Sequence, residues 1–461
     1  MTERVPLTKY PFFIFIVHTD LKDKKIPKLI WYYSLPAIIG ILANTLYNVV
    51  DRIFIGQEIG AYALSGLALT FPIMNILGAF GMLIGQGAAA RISILLGKND
   101  KDNANIIVFN ALVLSFIFYV IISVFCLLFL DDILYMFGGT QNTIPYAKSY
   151  LKIIIIGHIF ISLNFCLSNI IRSSGHPRIA MFTLLFGAIL NVFLDYILII
   201  VLKTGIEGAA YATTLSALIS CFWVTHYFFK KNNTLHFGKK YFQFNTHAFL
   251  SIISIGLAPF LLQICSSVVN IIMNNTLLKY GGDLAIGAFG ITTSYTTIVT
   301  MTIIGLSQGI QPILGYNYGA QQYDRVKHTL KICLIFATII TTIGWIIGMT
   351  MPRQIAMIFN SNNNELINIT THSIKIYTLC LFLVGFHIIT TNYFQSIGKA
   401  WISILLSISR QVLLLIPFIY ILPPIYGLDG AWMAQPVATG ISFLIAVLAL
   451  TIHFKILKNK G

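Results

Sequence analysis

Charged side chains are scarce in this sequence. Only 10% of its 461 residues are Asp, Glu, Lys or Arg, whereas 57% are hydrophobic. Soluble globular domains carry about 25% charged residues, so the composition excludes an ordinary soluble fold. Apolar runs of the ~20 residues that a membrane-spanning helix needs recur from residue 29 almost to the end. These runs are too long and continuous for the alternating strands of a membrane barrel, and we therefore predict an all-α integral membrane protein.

The sequence also lacks the motifs of enzymes and of ATP-driven pumps. It contains no nucleophile–base arrangement, no Walker loop and no dinucleotide fingerprint. Its six cysteines are widely spaced within apolar segments, without a CxxC pair or a Cys/His cluster, which argues against disulfides and against a metal site. We therefore expect neither catalysis nor a bound cofactor.

Twelve apolar segments are long enough to cross a membrane. They lie near residues 30–55, 63–87, 105–130, 147–170, 179–202, 206–229, 248–278, 284–309, 327–351, 371–394, 401–422 and 430–454. A basic, polar stretch separates the sixth segment from the seventh. The predicted organisation is an interfacial leader (1–28), an N-lobe (29–229), a linker (230–247), a C-lobe (248–454) and a tail (455–461).

The basic residues follow the predicted topology. The formal net charge is +15, and Lys and Arg gather on alternate connections, for example within 22–28, 91–101 and 230–240. The positive-inside rule then predicts that both termini are cytoplasmic. We interpret the basicity as a topology signal and expect no nucleic-acid partner.

The sequence repeats itself at an offset of 222 residues. Ungapped matches join Gly60, Ala63, Gln86, Gly87, Gly97 and Asp102 to Gly282, Ala285, Gln308, Gly309, Gly319 and Asp324. Repeats of six spans share one orientation in the membrane, which predicts two pseudo-symmetric six-helix bundles with a binding cavity between them. The matched pair Gln86 and Gln308, near the predicted cytoplasmic ends of their spans, is a candidate for closing a gate.

Two acidic residues lie inside predicted spans. Asp51 follows more than twenty uncharged residues, and Asp195 lies within FGAILNVFLDYILIIVL. An ionisable group inside a bilayer costs at least ~2.5 kcal/mol on insertion scales, which marks both as functional candidates. Asn191 lies one helical turn before Asp195. If these faces converge, carboxylate and amide oxygens suit either Na⁺ or a proton.

Three asparagines extend this polar character. Asn44 and Asn48 share a helical face with Asp51 at the spacing i, i+4, i+7. Asn270 is the counterpart of Asn48 in the second repeat. We predict that these asparagines line the cavity or contact substrate. The counterpart of Asp51 is Met273, so the acidic site is expected in the first lobe only.

Four segments resemble the multidrug and toxic compound extrusion (MATE) family. They are VVDRIFIG (49–56), NVFLDYILI (191–199), GIEGAAYATTLS (205–216) and GLSQGIQPILGYNYGAQQYDRV (305–326). The resemblance covers nearly the whole chain after the leader and is strongest to the bacterial DinF-like and MepA-like branch. It implies an N-lobe cation site formed by Asp51, Asn191, Asp195 and Thr213.

The resemblance also implies a function. It predicts a secondary-active antiporter that exports amphiphilic, cationic organic compounds in exchange for H⁺ or Na⁺. Such a protein would be a monomer surrounded by lipid in a bacterial cytoplasmic membrane.

A flippase for lipid-linked saccharides, which has a related architecture, is the alternative function. Such flippases carry basic cavities for pyrophosphate, and Arg52 is the one base that we identify inside a predicted span. His158 and His387 also lie inside spans, where we interpret them as core residues rather than proton relays.

Overall fold

The computed structural model describes residues 21, 24–59, 61–137, 141, 143–230, 233–359 and 363–458. Most of the predicted leader and part of the predicted tail lie outside these residues. Within them every regular element is a helix.

The described residues of the first half form seven α-helices. They are α1 (Ile26–Glu58), α2 (Ala61–Gly97), α3 (Lys101–Leu128), the short α4 (Leu130–Met136), α5 (Ile144–Ser173), α6 (Pro177–Asp195) and α7 (Ile206–Phe229). A π-helical turn, Tyr196–Val201, continues α6. Proline in the first turn begins α1, α5 and α6, where its missing N–H group costs no helical hydrogen bond. The Asp100 side chain caps α3 by accepting from the backbone N–H of Asn103.

The second half begins with a 3₁₀ turn, Lys239–Tyr241. Its helices are α8 (Thr246–Gly319), α9 (Tyr323–Thr350), the short α10 (Pro352–Phe359), α11 (Asn364–Tyr377), α12 (Leu381–Ser396), α13 (Ala400–Ile408), α14 (Ile416–Ile421), α15 (Pro423–Tyr426) and α16 (Leu428–Lys458). A π-helical segment, Ser409–Leu415, joins α13 to α14. Gly282 has a positive φ of 68° and divides α8 into two arms, Thr246–Gly282 and Leu284–Gly319.

The twelve predicted spans are confirmed. Eleven helical stretches in the described residues are long and apolar enough to cross a membrane, and α11 with α12 forms a twelfth if this bent pair is one span. The tenth predicted span, at 371–394, falls on this pair, in which α11 and α12 meet at an angle of 53°.

The duplication is visible in the backbone as well as in the sequence. Asn99 and Gln321 both have a positive φ near 60°, and they lie 222 residues apart. Gly205 and Gly427 form a second such pair at the same separation, with φ of 68° and 60°. Positive φ is costly for most residues, so its recurrence at matching positions indicates that the two bundles share their turns.

The two halves of the chain interlock at one end of the bundle, which we call the basic end because Lys98 and Lys101 lie there. One apolar cluster packs Leu29 and Tyr33 of α1 among helices of the second half. Another packs Ile252 of α8 among α2, α3 and α5. Each half therefore contributes a helix to the core of the other.

Glycines permit this close approach. A Cβ atom at Gly256 would overlap the carbonyl oxygen of Leu83, and one at Gly87 would overlap the carbonyl oxygen of Ile252. Gly309 packs against the backbone of Ser34 in the same way. Small residues at such positions let membrane helices pack backbone to backbone.

This packing predicts that Gly256→Ala destabilises the protein. The added methyl group must push α8 away from α2, at a cost of about 1–3 kcal/mol, so thermal unfolding in detergent should begin at a lower temperature. Gly290→Ala is the matched control, because no atom lies within 4 Å of a Cβ atom built there. Equal unfolding temperatures for the two variants would contradict the interpretation.

Candidate cation site

Asp195 lies at the last residue of α6, where the helix changes to π-helical geometry. Its side chain is 0% exposed, and neither carboxylate oxygen has a hydrogen-bond partner among the described residues. Short π-helical segments often occur at functional sites, because the extra residue redirects side chains. The local geometry therefore places a carboxylate without donors inside a membrane-spanning helix.

Asn191 and Thr213 lie next to each other between α6 and α7. The Asn191 Nδ2 group donates to the Thr213 Oγ1 atom over 3.3 Å, and both side chains are buried. This hydrogen bond fixes the orientation of the Asn191 amide and does not use its oxygen atom. That oxygen, Asn191 Oδ1, is shielded from solvent and has no partner in the described part of the chain.

Asp51, on α1, approaches the residues of α6 and α7. It is buried, and its carboxylate is close enough to Asp195 for the two charges to repel each other. The structure thus brings together Asp51, Asn191, Asp195 and Thr213, although they are up to 162 positions apart in the sequence.

Two tyrosines, which the sequence interpretation did not single out, complete the surroundings. The phenol groups of Tyr47 and Tyr150 both interact electrostatically with Asp51 and Asp195. Tyr47 lies one turn before Asp51 on α1, so helical spacing could have indicated it. Tyr150 lies on α5, and no local pattern in the sequence connects it to the acidic residues.

An apolar cluster closes one side of the site. Ile55 of α1 and Ile199 of the π-helical turn are buried in it, each four residues beyond an acidic residue, together with Tyr150 and Ile206. A carboxylate against such a wall loses its hydration, and the charged form then needs a cation nearby.

The chemistry of the site favours a small hard cation. It offers carboxylate, amide and hydroxyl oxygens, which are ligands of Na⁺-like ions, and the same carboxylates can take up protons. The described residues contain no cluster of three His, Cys, Asp or Glu side chains, which a transition metal would favour.

The three asparagines predicted as cavity residues are more exposed than the residues of the acidic site. Asn44 and Asn270 are exposed side chains. Asn48 is partly buried, and its Nδ2 group donates to the Asn44 backbone oxygen over 2.6 Å. Their contact with substrate stays a prediction. The Arg52 side chain lies outside the described residues.

A layer of interlobe hydrogen bonds lies at the basic end. The Arg172 Nη1 group, at the end of α5, donates to Gln308 Oε1 over 2.8 Å and to Asn169 Oδ1 over 3.2 Å. Arg172 is only 3% exposed. Gln86 of α2 accepts from two amides of the second half, Gln311 to its backbone oxygen and Gln395 to its side-chain oxygen.

We call Gln86, Arg172, Gln308, Gln311 and Gln395 the gate layer. The predicted pair Gln86 and Gln308 thus lies where the two halves meet, and its role as a gate stays a hypothesis.

The identification of Arg52 as the one base inside a span was wrong. Arg172 and Arg410 also lie in membrane-spanning helices, Ile144–Ser173 and Ala400–Tyr426.

Comparisons with known proteins agree with this architecture. The MatE family model matches residues 36–197 and 258–421. The multidrug export protein MepA of Staphylococcus haemolyticus is 29% identical over 95% of this chain and 97% of its own. MepA of Staphylococcus aureus MSSA476 is 27% identical over 91% of this chain and 92% of its own.

Solved structures are similar over nearly the full length. One, described as the outward-facing conformation of a multidrug resistance MATE family transporter, has a TM-score of 0.90 at 25% identity and covers 96% of this chain and 99% of its own. A transporter of the MOP superfamily from Pyrococcus furiosus also has a TM-score of 0.90 at 25% identity, with coverages of 95% and 98%.

The buried pair at the basic end predicts non-additive mutations. Gln308→Leu leaves the Arg172 guanidinium buried with one acceptor fewer, which should cost about 1.5–3 kcal/mol. The double variant Arg172→Met/Gln308→Leu should recover part of that stability, because it removes the charge as well. Thermal unfolding of the four proteins in detergent measures this cycle, and additive effects would contradict the interaction.

The buried carboxylates predict ion-dependent stability. In detergent without Na⁺ at pH 8, Asp195→Asn should unfold a few degrees above the wild type, because one desolvated charge beside Asp51 is gone. Added Na⁺ or acidification should stabilise the wild type by mass action and should have little effect on the variant.

Asp131→Asn is the control for this measurement, since Asp131 forms an exposed pair with Lys148 over 2.7 Å. If Asp195→Asn responds to both ions as strongly as the wild type does, Asp195 is not a ligand.

Proposed function

Because the chain belongs to the MATE family, whose members are transporters and not enzymes, we propose that it is a multidrug efflux antiporter. It exports amphiphilic organic cations, and the inward flow of H⁺ or Na⁺ through the site of Asp51 and Asp195 drives this export. The observation that carries the proposal is the burial of these two carboxylates side by side, together with the absence of a donor to either oxygen of Asp195 in the described residues.

Coupling follows from differential binding. A cation at the acidic pair neutralises a charge that is costly to bury, so it stabilises the conformation in which the apolar cluster encloses the pair. An organic cation competes for the same negative field from the cavity. Each ligand therefore weakens the binding of the other, and the ion gradient sets the direction of transport.

The chain's own residues would hold the ion in a defined way. Asp195 supplies carboxylate oxygens, and Asn191 supplies an amide oxygen that its hydrogen bond to Thr213 orients. Asp51 supplies the second negative charge. Tyr47 and Tyr150 limit the approach of water from the sides that they occupy.

The orientation of the protein follows from its basic connections. In a bacterial cytoplasmic membrane, with both termini in the cytoplasm, the basic end is the cytoplasmic end. The interlocked glycines and the gate layer then close the cytoplasmic side. This arrangement corresponds to an outward-facing state, the state named for one of the similar solved structures.

Transport in proteoliposomes tests the proposal. With a fluorescent organic cation, export should follow an imposed Na⁺ gradient or an imposed pH gradient, and the effective gradient identifies the coupling ion. Asp51→Asn and Asp195→Asn should each reduce gradient-driven export at least about tenfold, because neither variant keeps the paired charge that binds the ion.

Asp131→Asn should transport at the wild-type rate, since its side chain lies at the surface. Export against a gradient by Asp51→Asn or Asp195→Asn would refute coupling through this pair. If the wild type does not export the fluorescent cation under either the Na⁺ gradient or the pH gradient, the antiport itself is refuted.

A further inference from the structure

Arg410 lies deep within the membrane-spanning part of the second half. It is in the span Ala400–Tyr426, ten residues after the start of that span at the basic end. At 1.5 Å per residue this is about 15 Å, half the thickness of a ~30 Å hydrocarbon core. It is also the second residue of the π-helical segment Ser409–Leu415. A guanidinium group is therefore held near the middle of the bilayer.

This guanidinium has no partner in the described part of the chain. No hydrogen bond or ion pair of Arg410 is found there, and its Nε atom is shielded from solvent. The side chain as a whole is only partly buried, so part of it remains accessible to a ligand. Arginine cannot release its proton under these conditions, and an uncompensated charge at this depth costs at least ~2.5 kcal/mol.

The neighbours of Arg410 are polar but uncharged. His387 of α12 and Tyr377 of α11 are close enough to interact with it electrostatically. The adjacent Gln411 donates to Ser266 Oγ over 3.1 Å. The break between α11 and α12, bent by 53°, lies next to Tyr377. Such a group of neutral donors around a planar cation matches the two oxygens of an acidic group.

None of the acidic side chains that the structure describes in the second half forms an ion pair with Arg410. Asp429 pairs with His372 over 2.8 Å, Asp324 begins α9, and Glu365 begins α11. All three lie at helix ends, whereas Arg410 lies in mid-span. A bound molecule with an acidic group can supply the compensating charge that the described side chains do not.

We propose that Arg410 binds the acidic group, a carboxylate or a phosphate, of an amphiphilic substrate. This inference rests on the proposed function and extends its substrate class to amphiphiles that carry an acidic group beside a cationic one. Asp51 and Asp195 form an acidic pair in the first half, and Arg410 lies in the second half without an ion pair among the described residues. A zwitterionic molecule between the lobes can satisfy both.

Binding of two matched dyes to the purified full-length protein tests the proposal. Rhodamine 110 carries a free carboxylate, and rhodamine 123 is its methyl ester. By fluorescence polarisation in detergent, Arg410→Gln should weaken binding of the free acid about tenfold or more, because a charge-assisted bidentate contact is lost. The ester should change less than about threefold. Arg410→Lys keeps the charge without the planar fork and should give an intermediate loss for the acid.

Arg353→Gln is the control, because it removes one positive charge from an exposed position of the same half. Retained binding of the ester shows that Arg410→Gln is folded. Equal weakening of acid and ester in Arg410→Gln, or no binding of the acid by the wild type, would overturn the proposal. Wild-type protein that binds the acid through Arg410 but transports neither dye would leave the site standing and refute the antiport.

Lipid nanodiscs distinguish the source of the acidic group. Phosphatidylglycerol that displaces the free acid from the wild type, but phosphatidylcholine that does not, assigns the site to an anionic lipid headgroup. Displacement by neither lipid assigns it to the carboxylate of a water-borne substrate.

Discussion

The burial of two neighbouring carboxylates inside a bilayer-spanning bundle is the constraint on which the rest of the site depends. Asp195 finds no donor for either oxygen in the described residues, and Asp51 adds a second negative charge beside it. The hydrogen bond between Asn191 and Thr213 orients the Asn191 amide and leaves its oxygen, Oδ1, as a further ligand for the proposed cation.

The basic end combines two kinds of contact that differ in how easily they break. Backbone contacts at Gly87, Gly256 and Gly309 depend on exact steric fit and bring the helices very close. The gate layer instead consists of hydrogen bonds from amides and one guanidinium, each worth about 0.5–3 kcal/mol net. Water can replace such bonds if the halves separate, so the gate layer suits the proposed role of a seal that is stable when closed and can still open. This is the property that alternating access requires.

The duplicated halves have kept their backbone and diverged in their charges. Positive φ recurs at Asn99 and Gln321 and at Gly205 and Gly427, so the turns of the ancestral unit remain. The buried carboxylates Asp51 and Asp195 occur in the first half, whereas Arg410 occurs in a span of the second. Pseudo-symmetry thus supplies two equivalent scaffolds, and a few buried residues give each lobe a different electrostatic character.

The sequence by itself determined the fold class, the twelve spans, the duplication and the family. Long apolar runs and ungapped matches are local or periodic signals, which a chain carries without folding. Asp51 and Asp195 could also be recognised, because a charged residue inside an apolar run stands out in the sequence whatever the tertiary structure is.

Only the tertiary structure decided which residues share a site. Tyr150 joins the acidic pair from α5, Arg172 meets Gln308 across 136 positions, and Arg410 lies in mid-span without an ion pair in the part of the chain that the structure describes. The break between α11 and α12 was hidden too, because the junction between them contains neither proline nor glycine. Such features arise from contacts between helices, and the hydrophobic period of a single helix carries no information about the helix that packs against it.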